Sequence, residues 1–241
     1  MKILFLNAWR AQREAELRSY LGDHRDSMDV FCFQEAFETR DRVGAAVLTD
    51  FACVSARAKD VDHNGLIEQV TYVRRAFKLE KTAEIPGLEG NDSGVALYTR
   101  VRDPEGKVCN IINFYGLAYP VDKLDTPDRI RVSKAIIEFC ATLTDPVVIG
   151  GDFNLFPETE SVRAFTAAGY RDLIAEFKIS TTRNEFVWSR YPDHKMLYSD
   201  YVFISKNVDL VDFSVPDKYP DNQVSDHLPM VLKIDTFGRF C

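Results

Sequence analysis

Eight short apolar runs, at residues 3–6, 30–33, 70–73, 95–98, 108–114, 147–149, 201–204 and 230–234, punctuate the chain. Several are unbroken rather than alternating, the signature of strands covered on both faces. Helical patterns sit between only some of them. The clearest starts at Thr126-Pro127-Asp128, a hydroxyl cap, a proline suited to the first helical position and an acid in the first turn. Val132, Ile136, Cys140 and Leu143 then follow at helical spacing. A second runs over about 158–168, with Val162 and Phe165 inward and Gly169 as a C-terminal cap. Shorter patterns cover 12–21 and 40–48. Roughly ten strands with fewer helices, in mixed order, predict an α/β (α+β) fold of two packed mixed sheets flanked by helices. At 241 residues and 46% hydrophobic, the chain suits one large domain over residues 1–241.

The net charge of -7 argues against a protein devoted to non-specific nucleic-acid binding, although a local basic face or a bound cation can offset it. Five cysteines, an odd number without a CxxC pair, read as reduced thiols; Cys32, Cys109 and Cys140 lie among apolar residues. The apolar run before Asn7 is too short for a secretory segment, and no run approaches a membrane span. The expectation is a soluble cytoplasmic protein with no membrane insertion.

Three of the apolar runs end in polar groups foreign to a core. Residues 3–6 end in Asn7, and 30–33 continue through Gln34 to Glu35. Residues 147–149 lead through Gly150-Gly151, a pair expected to turn the backbone sharply and admit bulk beside it, to Asp152 and Asn154. Asp200 opens the run 201–204, and Asp226 stands beside His227 before the last one. Gathered at one mouth, these carboxylates would repel one another. A hard divalent cation resolves that conflict, and oxygen ligands such as Glu35, Asp226 and Asn7 suit Mg²⁺ or Mn²⁺ better than zinc. Magnesium shares itself with substrate phosphate, which points to phosphoester chemistry.

Taken singly, most of these residues have plainer readings. Asn7 suits a strand-end turn, Glu35 a helix start, Gly151-Asp152-Phe153-Asn154 an Asx-turn, and His227 a satisfied core or surface histidine. Together, in this order, they form a hydrolytic kit that independent turns would not supply.

The set Phe5-Leu6-Asn7, Phe33-Gln34-Glu35, Gly151-Asp152-Phe153-Asn154-Leu155, Ser199-Asp200-Tyr201 and Ser225-Asp226-His227-Leu228-Pro229 closely resembles the endonuclease/exonuclease/phosphatase superfamily. That superfamily includes pancreatic deoxyribonuclease, abasic-site endonucleases, neutral sphingomyelinases, inositol polyphosphate 5-phosphatases and tyrosyl-DNA phosphodiesterases. The resemblance implies a four-layer sandwich with the site at the mouth between two sheets. It implies that Glu35, with Asn7 and Asp226, holds the metal, and that Asp152 orients or deprotonates the attacking water. Asn154 would bind the phosphate or that water. His227, fixed by Asp200, would donate to a phosphoryl oxygen or act as the base. Many members carry a histidine where this chain has Tyr115; its hydroxyl can still donate to phosphate or leaving group, or the ring can simply pack.

The substrate is less legible. Arg74, Arg75, Arg100, Arg102, Arg129 and Arg131 flank the inferred mouth, with Arg100 taken as a phosphate-binding candidate. Trp9, Trp188 and Tyr191 are candidates for stacking on a base or ring. A phosphodiesterase or nuclease acting on DNA, RNA or a small diester leads, ahead of a phosphomonoesterase on a sugar or inositol phosphate. A non-catalytic binding module ranks last, because only Tyr115 departs from the kit.

Overall fold

The computed structural model describes residues 1–36, 42–60, 65–86, 93–190 and 196–235. In chain order its strands are β1 (Lys2–Asn7), β2 (Val30–Ala36), β3 (Phe51–Asp60), β4 (Gly65–Arg74), β5 (Lys78–Glu84) and β6 (Ser93–Arg102). They continue with β7 (Val108–Leu117), β8 (Val147–Asp152), β9 (Arg171–Asp172), β10 (Asp200–Ile204), β11 (Asp209–Ser214) and β12 (Met230–Asp235). The helices are α1 (Glu14–His24), α2 (Arg42–Val47), α3 (Pro127–Ala141), α4 (Glu160–Ala167), α5 (Leu173–Glu176) and α6 (Glu185–Trp188).

The strands form two six-stranded sheets, ordered β11-β12-β1-β2-β4-β3 and β5-β6-β7-β8-β10-β9. Each is mixed: β1 pairs with β2, and β7 with β8, in parallel, while the other pairings are antiparallel. Alternation along β1 explains its unbroken apolar run. Ile3 and Phe5 point into a core shared with the second sheet, whereas Leu4 and Leu6 point the other way, onto Leu17, Tyr20 and Leu21 of α1 and Val43 of α2. On the far side, α3 adds Val132, Ile136 and Cys140, and α4 adds Val162 and Phe165. Two sheets between two helical layers make the expected sandwich.

Both capped helices form where the sequence placed them. Thr126 Oγ1 accepts from Arg129 N at 3.2 Å with Pro127 at the first position, and the Thr159 side chain accepts from Val162 N. Gly169, at φ +95°, follows α4. Cys32, Cys109 and Cys140 are buried free thiols. The glycine pair corrects one expectation: Gly150 and Gly151 lie inside β8 and do not turn the chain. Their missing side chains make room instead, for the Phe5 ring of the opposite sheet and for the Phe114 carbonyl. No helix among the described residues is long and apolar enough to cross a membrane.

Candidate active site

Strand register delivers the polar strand ends to one edge of the sandwich. In the first sheet Asn7 pairs with Gln34, beside Glu35. In the second, Asp152 pairs with Tyr115 on one side and with Asp200 on the other, so three candidate side chains stand in a row. Asn7 joins the sheets: its Nδ2 donates to Glu35 Oε1 at 3.1 Å and to Asp152 Oδ2 at 2.9 Å. Its Oδ1 accepts from Trp9 N at 2.9 Å, and its carbonyl accepts from Ser225 Oγ at 2.7 Å. Behind it, Gln34 Nε2 donates to Asn113 Oδ1 at 2.7 Å, and Asn113 Nδ2 reaches the Phe33 carbonyl at 3.1 Å. This second amide pair fixes the sheet spacing beneath the site.

The backbone is strained here. Glu35 has φ +50° and sits at a break in the β2–β4 register, a bulge that re-aims its carboxylate. Asn154 (φ +55°), Lys123 (φ +56°) and the 9–11 turn (Trp9 +46°, Arg10 +54°, Ala11 +52°) also lie in the left-handed region. Among the described non-glycine residues, only Lys178 does so elsewhere. Such conformations persist where surrounding contacts over-determine them, and they concentrate at working sites.

Asp152 is buried and doubly held, since Oδ1 accepts from Asn154 N at 2.9 Å while Oδ2 takes the Asn7 amide. His227 Nδ1 lies 2.8 and 3.0 Å from the two oxygens of Asp200, which leaves Nε2 facing Asp152 Oδ2 and Asp226 Oδ1, each at 3.7 Å and beyond hydrogen-bond reach. Asp152, Asp200 and His227 thus present potential ligand atoms within 4.8 Å of one another, a candidate acidic and histidine cluster. Burial works hardest against a charged His227, and Arg183 adds to that, but Asp200, Asp152 and Asp226 outweigh both and raise its pKa. Burial likewise opposes the Asp200 carboxylate; His227, Arg183 and the Ser199 hydroxyl at 2.8 Å overcome it and lower its pKa. The pair is therefore arranged as imidazole N–H toward carboxylate.

The remaining candidates are placed less evenly. Tyr115 is buried and its hydroxyl donates to Glu35 Oε1 at 2.9 Å, so the ring does more than pack. Burial, then Glu35 and Asp152, push its pKa well above the ordinary phenol value and keep the proton on. Asp226 stands on the His227 side with Oδ2 tied to Arg183 at 2.8 Å; its buried Oδ1 has no hydrogen-bond partner among the described residues. Trp9 is half-buried at the rim beneath the Arg190 guanidinium, 4.3 Å from its ring centroid.

Arg100 is a correction. It pairs with Asn110 on β7, and Asn110 pairs with Val147, the residue that starts β8 while Asp152 ends it. At ~3.3 Å per residue that places Arg100 roughly 17 Å from the cluster. There it binds Glu80 at 3.1 Å and Asp145 at 2.7 Å, and Arg102 shares Glu80. Arg74 is engaged by Asp50 at 2.8 Å, and Arg131 by Asp128 at 3.4 Å on the surface. Trp188 Nε1 donates to the Met196 carbonyl at 2.9 Å. Tyr191 lies outside the described residues. Three cations that do reach the site had no distinguishing sequence context: Arg10, with Nε 3.6 Å from Glu35 Oε2, Arg183, on Asp226, and Lys123, whose Nζ donates to Asn154 Oδ1 at 2.6 Å.

The sequence pattern of the endonuclease/exonuclease/phosphatase family matches residues 4–227, a span that includes every residue of the cluster. The chain belongs to this family. Among solved structures, the endonuclease/exonuclease/phosphatase of Bacteroides vulgatus superposes with a TM-score of 0.77 at 16% identity, covering 97% of this chain and 98% of that one. The mannosyl-6-phosphatase of Bacteroides thetaiotaomicron gives 0.72 at 14% identity over 98% and 99% of the two chains. The human Nocturnin catalytic domain, with bound sulfate, gives 0.70 at 18% over 98% and 93%. These endonuclease/exonuclease/phosphatase relatives share the fold with this chain at low identity. No curated protein matches it.

Proposed function

We propose that this protein is a divalent-metal-dependent phosphodiester hydrolase, a nuclease or small-diester phosphodiesterase, that drives in-line attack by water. The observation that carries the reading is the Asn7 amide joining Glu35 to Asp152, with the Asp200–His227 pair facing the same carboxylate.

The residues suit a hard cation. The donors on offer are oxygens, Glu35 is only partly buried, and Asp226 Oδ1 is an orphaned buried acceptor. Glu35 would hold Mg²⁺ or Mn²⁺, with Asp226 contributing at most its one uncommitted oxygen; Asn7, which turns its Nδ2 toward Glu35 and Asp152 and commits Oδ1 to Trp9 N, would ligate only with its carboxamide reversed. The ion, when bound, supplies charge that offsets the growing negative charge on phosphate oxygens.

The chain does the rest. Asp152, with both oxygens already fixed, orients the attacking water and accepts its proton. His227 Nε2, aimed by Asp200, donates to a phosphoryl oxygen. Asn154 presents its carboxamide to the same group. Tyr115 holds Glu35 through its hydroxyl and acts as a positioning residue rather than an acid.

Asp200→Asn is expected to lower kcat about a hundredfold, as losing an orienting partner does, with a smaller change in KM and an intact circular-dichroism spectrum. Near-normal kcat in that variant would remove the proposed His227 role.

A substrate panel tests the whole reading. Diester and monoester reporters, with single- and double-stranded DNA and RNA, are incubated in Mg²⁺, Mn²⁺ or EDTA. Turnover of diesters is expected with either ion, abolished by EDTA and restored by adding metal back. Cleavage of monoesters alone would replace this reading with a phosphomonoesterase. Silence on every substrate would leave a binding module.

A further inference from the structure

The loop between β7 and α3 is built around one buried arginine. The Arg129 guanidinium donates to the carbonyls of Leu117 (3.0 Å), Pro120 (2.5 Å) and Leu124 (2.5 Å) and to Asp122 Oδ1 (3.3 Å). Asp125 ties the same loop to α4, accepting from Ser161 Oγ at 2.5 Å and from Glu160 N at 2.6 Å. These contacts turn Tyr119, Val121 and Leu124 outward and Lys123 inward. Lys123 sits in the left-handed region at φ +56°, with its carbonyl accepting from Phe156 N at 3.0 Å. An L-residue with a long side chain gains nothing locally from that backbone. What the backbone achieves is to bring an ammonium in beneath Asn154.

The destination is a costly one. Lys123 is 6% exposed, and Asn154 Oδ1 is the one hydrogen-bond partner of its ammonium among the described residues, leaving two of the three N–H groups for something else. The charged groups that act on it are Asp152 on β8, Asp200 on β10, Arg129 on α3 and Arg183. Burial lowers its pKa to about 8, with the two aspartates opposing and the two arginines assisting that shift. A lysine kept only to neutralise the acids would serve better in a direct ion pair with one of them; this one is given to a neutral amide instead.

We propose that Lys123 is a binding residue for a tetrahedral oxyanion: its ammonium holds a non-bridging oxygen of the phosphoryl group while its bond to Oδ1 fixes which way the Asn154 carboxamide faces. The inference rests on the hydrolase reading for its purpose, and its test does not depend on turnover. Inorganic phosphate is titrated into the full chain in Mg²⁺ buffer and followed by backbone amide NMR, for wild type and for Lys123→Met, with thermal melts and diester hydrolysis measured alongside. Lys123→Met is expected to weaken phosphate at least tenfold, as loss of a charge-assisted contact does, and to melt no lower than wild type, because a buried charge has gone. Wild-type phosphate affinity should also fall as pH rises through about 8, where the ammonium loses its proton. That second titration stands if the variant fails to fold. Unchanged phosphate affinity in Lys123→Met, or a flat wild-type profile from pH 7.5 to 9.5, overturns the proposal. If no ester is hydrolysed but phosphate affinity still depends on Lys123, the anion site stands and the hydrolase reading falls.

Discussion

Asp152→Asn should cut kcat about a thousandfold on whichever ester proves to be the substrate, while the protein folds and melts within a few degrees of wild type. The asparagine keeps the shape and an oxygen that can accept from Asn154 N or the Asn7 amide, the two bonds that hold the side chain at 2.9 Å each. What it removes is the negative charge and the capacity to take a proton from water. Because Asp152 stands among Asp200, Asp226 and the His227 ring, losing one carboxylate also relieves crowding, so stability has little reason to drop. Steady-state kinetics under saturating metal, paired with a thermal melt, checks both halves. A variant keeping more than a tenth of wild-type kcat would place the water-activating group elsewhere.

Gly151→Ala should do the opposite, damaging the fold before the chemistry. Gly151 has φ +135°, a conformation closed to L side chains, and an added Cβ would lie 2.1 Å from the Phe114 carbonyl oxygen and 3.0 Å from Gln34 Nε2. The first contact is with backbone of the neighbouring strand and the second with the amide that spans the sheets, so neither can step aside alone. Strain and clash together should cost about 4 kcal/mol or more, a large part of the stability of an ordinary domain. Urea unfolding of the variant should show a much lower midpoint, or no folded baseline. A midpoint within 0.3 M of wild type would contradict the packing described around β8.

What could be read from the chain beforehand follows from where each strand sits. The eight apolar runs became the eight interior strands, β1, β2, β4 and β12 in one sheet and β6, β7, β8 and β10 in the other. The strands that escaped notice, β3, β5, β9 and β11, are the four sheet edges. Edge strands face water and carry charge, as Lys78–Glu84 and Asp209–Ser214 do, so hydrophobic pattern cannot mark them. The polar ends of β1, β2 and β8 were legible for the converse reason, being conspicuous against apolar neighbours. Lys123 and Arg183 were not, since a lone cation in a polar stretch looks the same whether it faces solvent or a buried acid. Arg100 misled because composition gives no measure of distance along a strand; the residue lies on the right sheet at the wrong end.

One carboxamide spans the seam between the two sheets, touching Glu35 on one and Asp152 on the other. The reactive constellation is therefore the property of neither layer. If one slab slid past its partner, each could keep its own hydrogen-bonded ladder and the chemistry would still vanish. On the hydrolase reading proposed above, a chain organised this way is inert until both sheets have docked.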